Sequence, residues 1–258
     1  MKYGCCALLE DTDAVLKAGY DYIELPARQI QGLSEDRFQD FLKKKENLGF
    51  DVPVMNDFCD ESVMLIGEKY NEKQVLSYLI TLLKRAQLLG VGKIGIGAPN
   101  ARSVPADYDR DKAVEEFVKC LVNMSDVAED YGIVLMLEPI NAGICNFINT
   151  MEEAEEIVRA ADHCSLRLMQ DFFHSEIMAD DAGVSEHLGK CIHVHVSELA
   201  GGRRAYLCET NIDKYMKWAG MLCKAEYEGT VSIEIPGRQN ADNLYDNLNI
   251  MKMFFTTS

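Results

Sequence analysis

The 258-residue sequence is short of positive charge: 26 Lys and Arg stand against 42 Asp and Glu, a formal net charge of −16. Neutralising phosphates takes a clustered basic surface, and the cations here are scattered, which argues against a nucleic-acid partner and against an anionic membrane. No apolar run approaches the ~18 residues of a membrane span. The opening "MKYGCCALLEDTD" holds no signal-like apolar core ahead of its charges. Cys-x-x-Cys pairs are absent too. The nine cysteines are odd in number and dispersed, most in apolar stretches such as "KCIHV", where a free thiol acts as a small hydrophobe. Together these absences predict a soluble cytoplasmic protein with no membrane association. Homo-oligomerisation stays open.

Two further features are missing. No Gly-rich phosphate fingerprint follows an early strand, since "GIGAPN" is too short to read as one, and no low-complexity linker divides the chain. What is present is alternation. Eight β-rich runs (2–8, 21–26, 51–58, 93–99, 133–139, 166–171, 191–197 and 230–236) are each followed by a segment of helical periodicity. Asn71 is placed to cap the helix that Gly90 stops. Thr150 with Glu153 has capping-box spacing, and a last helix covers much of 241–255. Eight strand–helix units predict a single (β/α)₈ TIM barrel occupying 1–258 as one domain, with a doubly wound open sheet as the alternative. Long polar loops are expected after the fourth and seventh strands.

Barrel chemistry sits at the C-terminal ends of strands, and the ends of strands five to eight carry Glu138, Asp171, His195 and Glu234. Alternation places Val134, Met136 and Glu138 on one strand face, Met169 with Asp171, His193 with His195 and Ser197, and Ser232 with Glu234. All four ligand-type residues then point into the barrel. Three carboxylates and an imidazole converging there are costly without compensation, and no inward Lys or Arg is visible at these strand ends to pair them. A divalent cation resolves the cost, and this oxygen-rich set suits Mn²⁺, Mg²⁺, Co²⁺ or Zn²⁺. His193 reads as a packed histidine behind the ligands, and His163 and His187 as exposed helix-end residues.

The segments "LEPIN", "DFFH", "HVHVSE" and "SIEIP" resemble the strand motifs of the xylose-isomerase-like sugar isomerase/epimerase superfamily, nearest its ketose (D-tagatose and D-psicose) 3-epimerase branch. That resemblance implies a divalent metal, Mn²⁺ first, held by Glu138, Asp171, His195 and Glu234, and a carbohydrate substrate contacted by His174. It further implies proton transfer beside a carbonyl through an enediolate, with Glu138 and Glu234 as acid–base partners. Epimerisation and aldose–ketose isomerisation both remain open. Two positions depart from the branch. Ile144 stands where a second Glu is expected and Gly201 where a substrate Arg is expected, which leaves Arg203 and Arg204 as candidate substrate residues. A keto sugar, a sugar phosphate or a related polyol all fit. A metal-dependent dehydratase, an AP-endonuclease-like hydrolase and a non-catalytic sugar-binding relative are the alternatives.

Overall fold

Short runs of apolar and β-branched residues build the sheet, because strands covered on both faces need no polar side. The computed structural model describes residues 1–255. Its strands are β1 (Lys2–Cys6), β2 (Tyr22–Pro26), β3 (Val54–Asn56), β4 (Lys93–Ile96), β5 (Val134–Leu137), β6 (Leu166–Asp171), β7 (Cys191–Val196), β8 (Glu198–Ala200), β9 (Arg203–Ala205) and β10 (Thr230–Ile233). Eight of them close a barrel in the order β1-β10-β7-β6-β5-β4-β3-β2, and every neighbouring pair is parallel. The open-sheet alternative is thereby excluded.

Around this barrel lie α1 (Thr12–Ala18), α2 (Ala27–Gln31), α3 (Glu35–Leu48), α4 (Glu72–Leu89), α5 (Pro99–Arg102), α6 (Arg110–Asp130), α7 (Met151–Ala161), α8 (Phe172–Met178), α9 (Asp181–His187), α10 (Ile212–Lys224) and α11 (Ala241–Phe254). The Asn71 side chain accepts from Gln74 N–H to start α4, and Gly90 ends that helix in the left-handed conformation at φ 78°. Thr150 likewise accepts from Glu153 N–H at the start of α7. Here tertiary packing and local capping agree about where each helix begins.

Two loops carry more structure than their polarity suggested. Pro99–Arg102 forms a helical turn after β4, and the stretch after β7 folds back as the antiparallel pair β8–β9, with Glu198 opposite Ala205. Glycines at 201 and 202, both at positive φ, make that reversal. His187 is also corrected: it is buried, 4% exposed, and its Nε2 lies 3.0 Å from Glu152.

The barrel interior is filled by Tyr22, Val54, Met136 and Met169. Tyr22 Oη lies 2.9 Å from Ser232 Oγ across that interior. The ring fits because residue 4 has no side chain: a Cβ at Gly4 would fall 2.0 Å from the Tyr22 ring. Gly4→Ala is therefore expected to destabilise the fold by about 1–3 kcal/mol through overpacking. Urea denaturation measures this, and an unchanged midpoint would show that the interior has room the packing denies.

A candidate metal centre at the C-terminal mouth

The inward residues predicted by alternation do meet. Glu138 and Glu234 stand one residue beyond β5 and β10, where Glu138 N–H still donates to Ile96 O and Glu234 N–H to Val196 O. Asp171 ends β6 and His195 lies near the end of β7. One ligand atom from each of Glu138, Asp171, His195 and Glu234 lies within 4.8 Å of all the others. His195 Nδ1 is 3.0 Å from Glu234 Oε2 and 4.0 Å from both Glu138 Oε1 and Asp171 Oδ2. Atoms bound about 2.1 Å from a common ion lie about 3.0–4.2 Å apart, so this spacing suits the edges of one coordination sphere.

One orphaned atom makes the fit specific. His195 Nδ1 is buried and makes no hydrogen bond, while Glu234 Oε2 beside it is ion-paired with Arg204 at 2.8 Å. On the other side of the ring, His195 Nε2 sits 2.8 Å from Glu24 Oε1, so in the neutral ring the N–H is spent on Glu24 and Nδ1 turns its lone pair towards the three carboxylates. A nitrogen lone pair facing three carboxylates suits a cation placed among them. The donor set fits a divalent metal.

Electrostatics point the same way. Burial raises the Glu138 carboxyl above its ordinary range, with Asp171 and Glu234 adding to the rise against His195. Burial also opposes ionisation of Asp171, but the Arg204 guanidinium and His174 outweigh it and hold that carboxyl well below the usual range. For His195, burial works against the charged form, while Glu24, Cys6 and Glu234 outweigh it and raise the imidazole well above its usual value. Positive charge is favoured wherever these side chains meet.

Arg204 corrects the expectation that no inward cation pairs the acids. It comes from β9 rather than from a barrel strand end, and it pairs with Asp171 and, at 2.8 Å, with Glu234. Its Nη1 donates to Ser197 Oγ at 3.2 Å, and the guanidinium lies 4.3 Å over the Phe173 ring. Arg203, beside it in sequence, is exposed at the rim of the same cavity.

The cavity above these residues measures about 490 Å³. Glu138, Glu234, His174, Arg203 and Arg204 line it, along with an apolar wall that includes Ile140, Ile144 and Ile235. Ile144 is half exposed there, so the position that departs from the 3-epimerase pattern presents hydrocarbon to the cavity. His174 is held from behind by Asn141, whose Nδ2 is 2.8 Å from Nδ1 while its Oδ1 accepts from Gly143 N–H. Arg204 Nη2 also approaches His174 Nε2, at 3.2 Å. A neutral imidazole accepts at one nitrogen only. Both neighbours offer donors, so Nδ1 accepts from Asn141 in one tautomer and Nε2 from Arg204 in the other, with Nε2 4.0 Å from Glu138 and 3.8 Å from Asp171.

Several residues of this centre escaped the sequence reading. Glu24, Asn141, Gly97 and Arg102 form its frame, and fully buried Arg102 donates to Glu138 O at 2.7 Å. Glu24 had a usable signal, since it shares the inward face of β2 with Tyr22. A Cβ at Gly97 would fall 2.6 Å from Glu138 Oε2, the mobile end of a side chain. Gly97→Ala should thus leave folding intact yet displace Glu138, with a loss of kcat/KM on the order of 10²-fold. Wild-type kinetics alongside a wild-type melting curve would refute it.

The family model described as xylose isomerase-like TIM barrel matches residues 12–253. The chain belongs to that family. Within it, residues over a 195-residue stretch are 27% identical to a D-psicose 3-epimerase of Ruminiclostridium cellulolyticum, covering 72% of this chain and 65% of that relative. The match therefore spans just under two thirds of the relative's length. The crystal structure of a D-allulose 3-epimerase from Methylomonas sp. in complex with D-allulose superposes with a TM-score of 0.83 at 17% identity, covering 98% of this chain and 97% of the other. The IOLI protein, crystallised with a binding zinc atom, gives 0.77 at 19% identity over 100% of both chains. These structures bear on the fold of this xylose isomerase-like barrel, whose structural neighbours include ketose epimerases. Among the described residues no helix is long and apolar enough to cross a membrane.

Proposed function

We propose that this family member is a divalent-metal-dependent sugar isomerase or epimerase that moves a proton beside the carbonyl of a keto sugar, sugar phosphate or related polyol. The observation that carries this reading is the meeting of Glu138, Asp171, His195 and Glu234 at the floor of a cavity that two of their carboxylates also line. Those four residues would hold the metal, Mn²⁺ first among Mn²⁺, Mg²⁺, Co²⁺ and Zn²⁺. When bound it would polarise a substrate carbonyl and stabilise charge developing on that oxygen.

The chain's own residues supply the rest. Glu138 and Glu234 follow β5 and β10, on separate parts of the barrel rim, so a carboxylate can take a proton from one face of the sugar and another can return it. His174 presents Nε2 to a substrate oxygen. Arg204, and Arg203 at the rim, hold the oxygen-rich end through their N–H donors. The apolar wall excludes water from the reacting carbons. Support for an enzyme of this class comes from the D-psicose 3-epimerase relative and from the zinc in the IOLI protein. The cavity accommodates a monosaccharide and offers no extended basic groove, which weighs against the endonuclease alternative.

The test is a panel of ketoses, aldoses, their phosphates and oxidised inositols incubated in D₂O with Mn²⁺-loaded protein, with NMR detecting deuterium at carbon. Metal-dependent incorporation into a keto sugar is the expected result. Sugar binding without exchange into any compound of the panel would point to a binder instead.

A further inference from the structure

Beneath the proposed metal site a continuous line of polar side chains descends through the barrel interior. Lys93 Nζ, at the first residue of β4, donates to Ile192 O at 2.9 Å and to Thr230 Oγ1 at 3.1 Å. Thr230 Oγ1 lies 2.8 Å from His193 Nδ1. His193 Nε2 lies 2.8 Å from one oxygen of Glu24, and His195 Nε2 lies 2.8 Å from the other. Glu24 and His193 are completely buried and His195 nearly so. The line thus begins at the N-terminal end of the strands and finishes on the ring whose far nitrogen faces Glu138, Asp171 and Glu234.

The direction of each bond follows from what each group can do. An ammonium only donates, so Thr230 Oγ1 accepts from Lys93 and keeps its own hydrogen to give. A carboxylate with one imidazole nitrogen on each oxygen accepts from both, so His193 and His195 each carry N–H at Nε2. Nδ1 of a neutral His193 then bears the lone pair, and the Thr230 hydroxyl donates to it. Each donor finds an acceptor, and the chain leaves Nδ1 of His195 bare on the metal side.

We propose that Lys93, Thr230, His193 and Glu24 are positioning residues that lock His195 in the tautomer and orientation a metal requires. This rests on the metal-dependent reading above. Partners behind a ligating histidine fix its ring and raise its basicity, and their loss typically weakens metal binding about 10–100-fold. Thr230 and Lys93 act at a distance, by keeping His193 from turning its own Nδ1 into a donor and releasing Glu24.

The experiment titrates metal-free protein with Mn²⁺ and compares wild type with Glu24→Gln, Thr230→Val, Thr230→Ser and Asp171→Ala, each checked for folding by circular dichroism. Glu24→Gln should weaken Mn²⁺ binding by about 10–100-fold. Thr230→Val should weaken it less, and Thr230→Ser, which keeps the hydroxyl, should bind as wild type. Ring ¹⁵N spectra of the Zn²⁺-loaded chain should place the protons of His193 and His195 on Nε2, and the His193 tautomer is read in the metal-free chain as well. Wild-type affinity in both folded Glu24→Gln and Thr230→Val, or a proton on Nδ1 of His193, overturns the inference while leaving the metal site standing. Metal binding unaffected by Asp171→Ala would instead overturn the reading on which it rests.

Discussion

Glu138→Gln or Glu234→Gln should lower turnover by on the order of 10²–10⁴-fold, the contribution of a positioned general acid or base. The amide keeps the size of the side chain and one ligand oxygen, so some metal should remain bound while the proton carrier is lost. Both residues line the cavity, and the amide keeps the volume of the wall that receives the sugar. The measurement is deuterium incorporation from D₂O into the responsive substrate, together with metal content of the same preparation. Ordinary turnover by either variant at full rate would exclude that carboxylate from the chemistry. The departure at Ile144 sharpens this test, because among the residues lining the cavity the remaining carboxylates are Glu138, Glu234 and Asp57, and Asp57 pairs with Arg28.

Replacing both Asp171 and His195 by Ala should remove the metal. Asp171 is 1% exposed and ends β6 directly beneath the cavity floor, while His195 contributes the bare nitrogen. A ligand at a hundred times its dissociation constant stabilises the folded state by about 2.7 kcal/mol. For a domain of 150–250 residues, each kcal/mol moves the melting temperature by about 2–4 °C, so saturating Mn²⁺ should raise the wild-type Tm by roughly 5–10 °C. The double variant should show no such rise and less than one metal per chain. Unchanged stoichiometry in that variant would reject the four-residue assignment. Removing Asp171 also deprives Arg204 of a partner, so the metal-free variant must be compared with metal-free wild type.

The eight strands, their order along the chain and the inward direction of Glu138, Asp171, His195 and Glu234 were all legible in the sequence. The reason is that a strand's side chains alternate with period two, a rule that needs no knowledge of neighbours. Strand length was less legible: the third strand spans Val54–Asn56 rather than 51–58, although Asp51 O and Pro53 O still accept from Ile23 and Lys93 N–H, and Pro53 has no N–H of its own to give.

What tertiary structure alone decided is which distant groups share a polar contact. Glu24 meets His195 across 171 positions, and Arg204 reaches Asp171 across 33 because two glycines turn the chain back as a hairpin. Loop composition did not announce that hairpin, so the acids looked unpaired when strand ends were counted by themselves. His187 looked exposed for the same reason, its burial depending on α9 packing against α7. Local periodicity determines which way a side chain points. Barrel closure determines what it finds there, since only closure brings β2 and β7 across one interior and sets the tautomer of the proposed ligand.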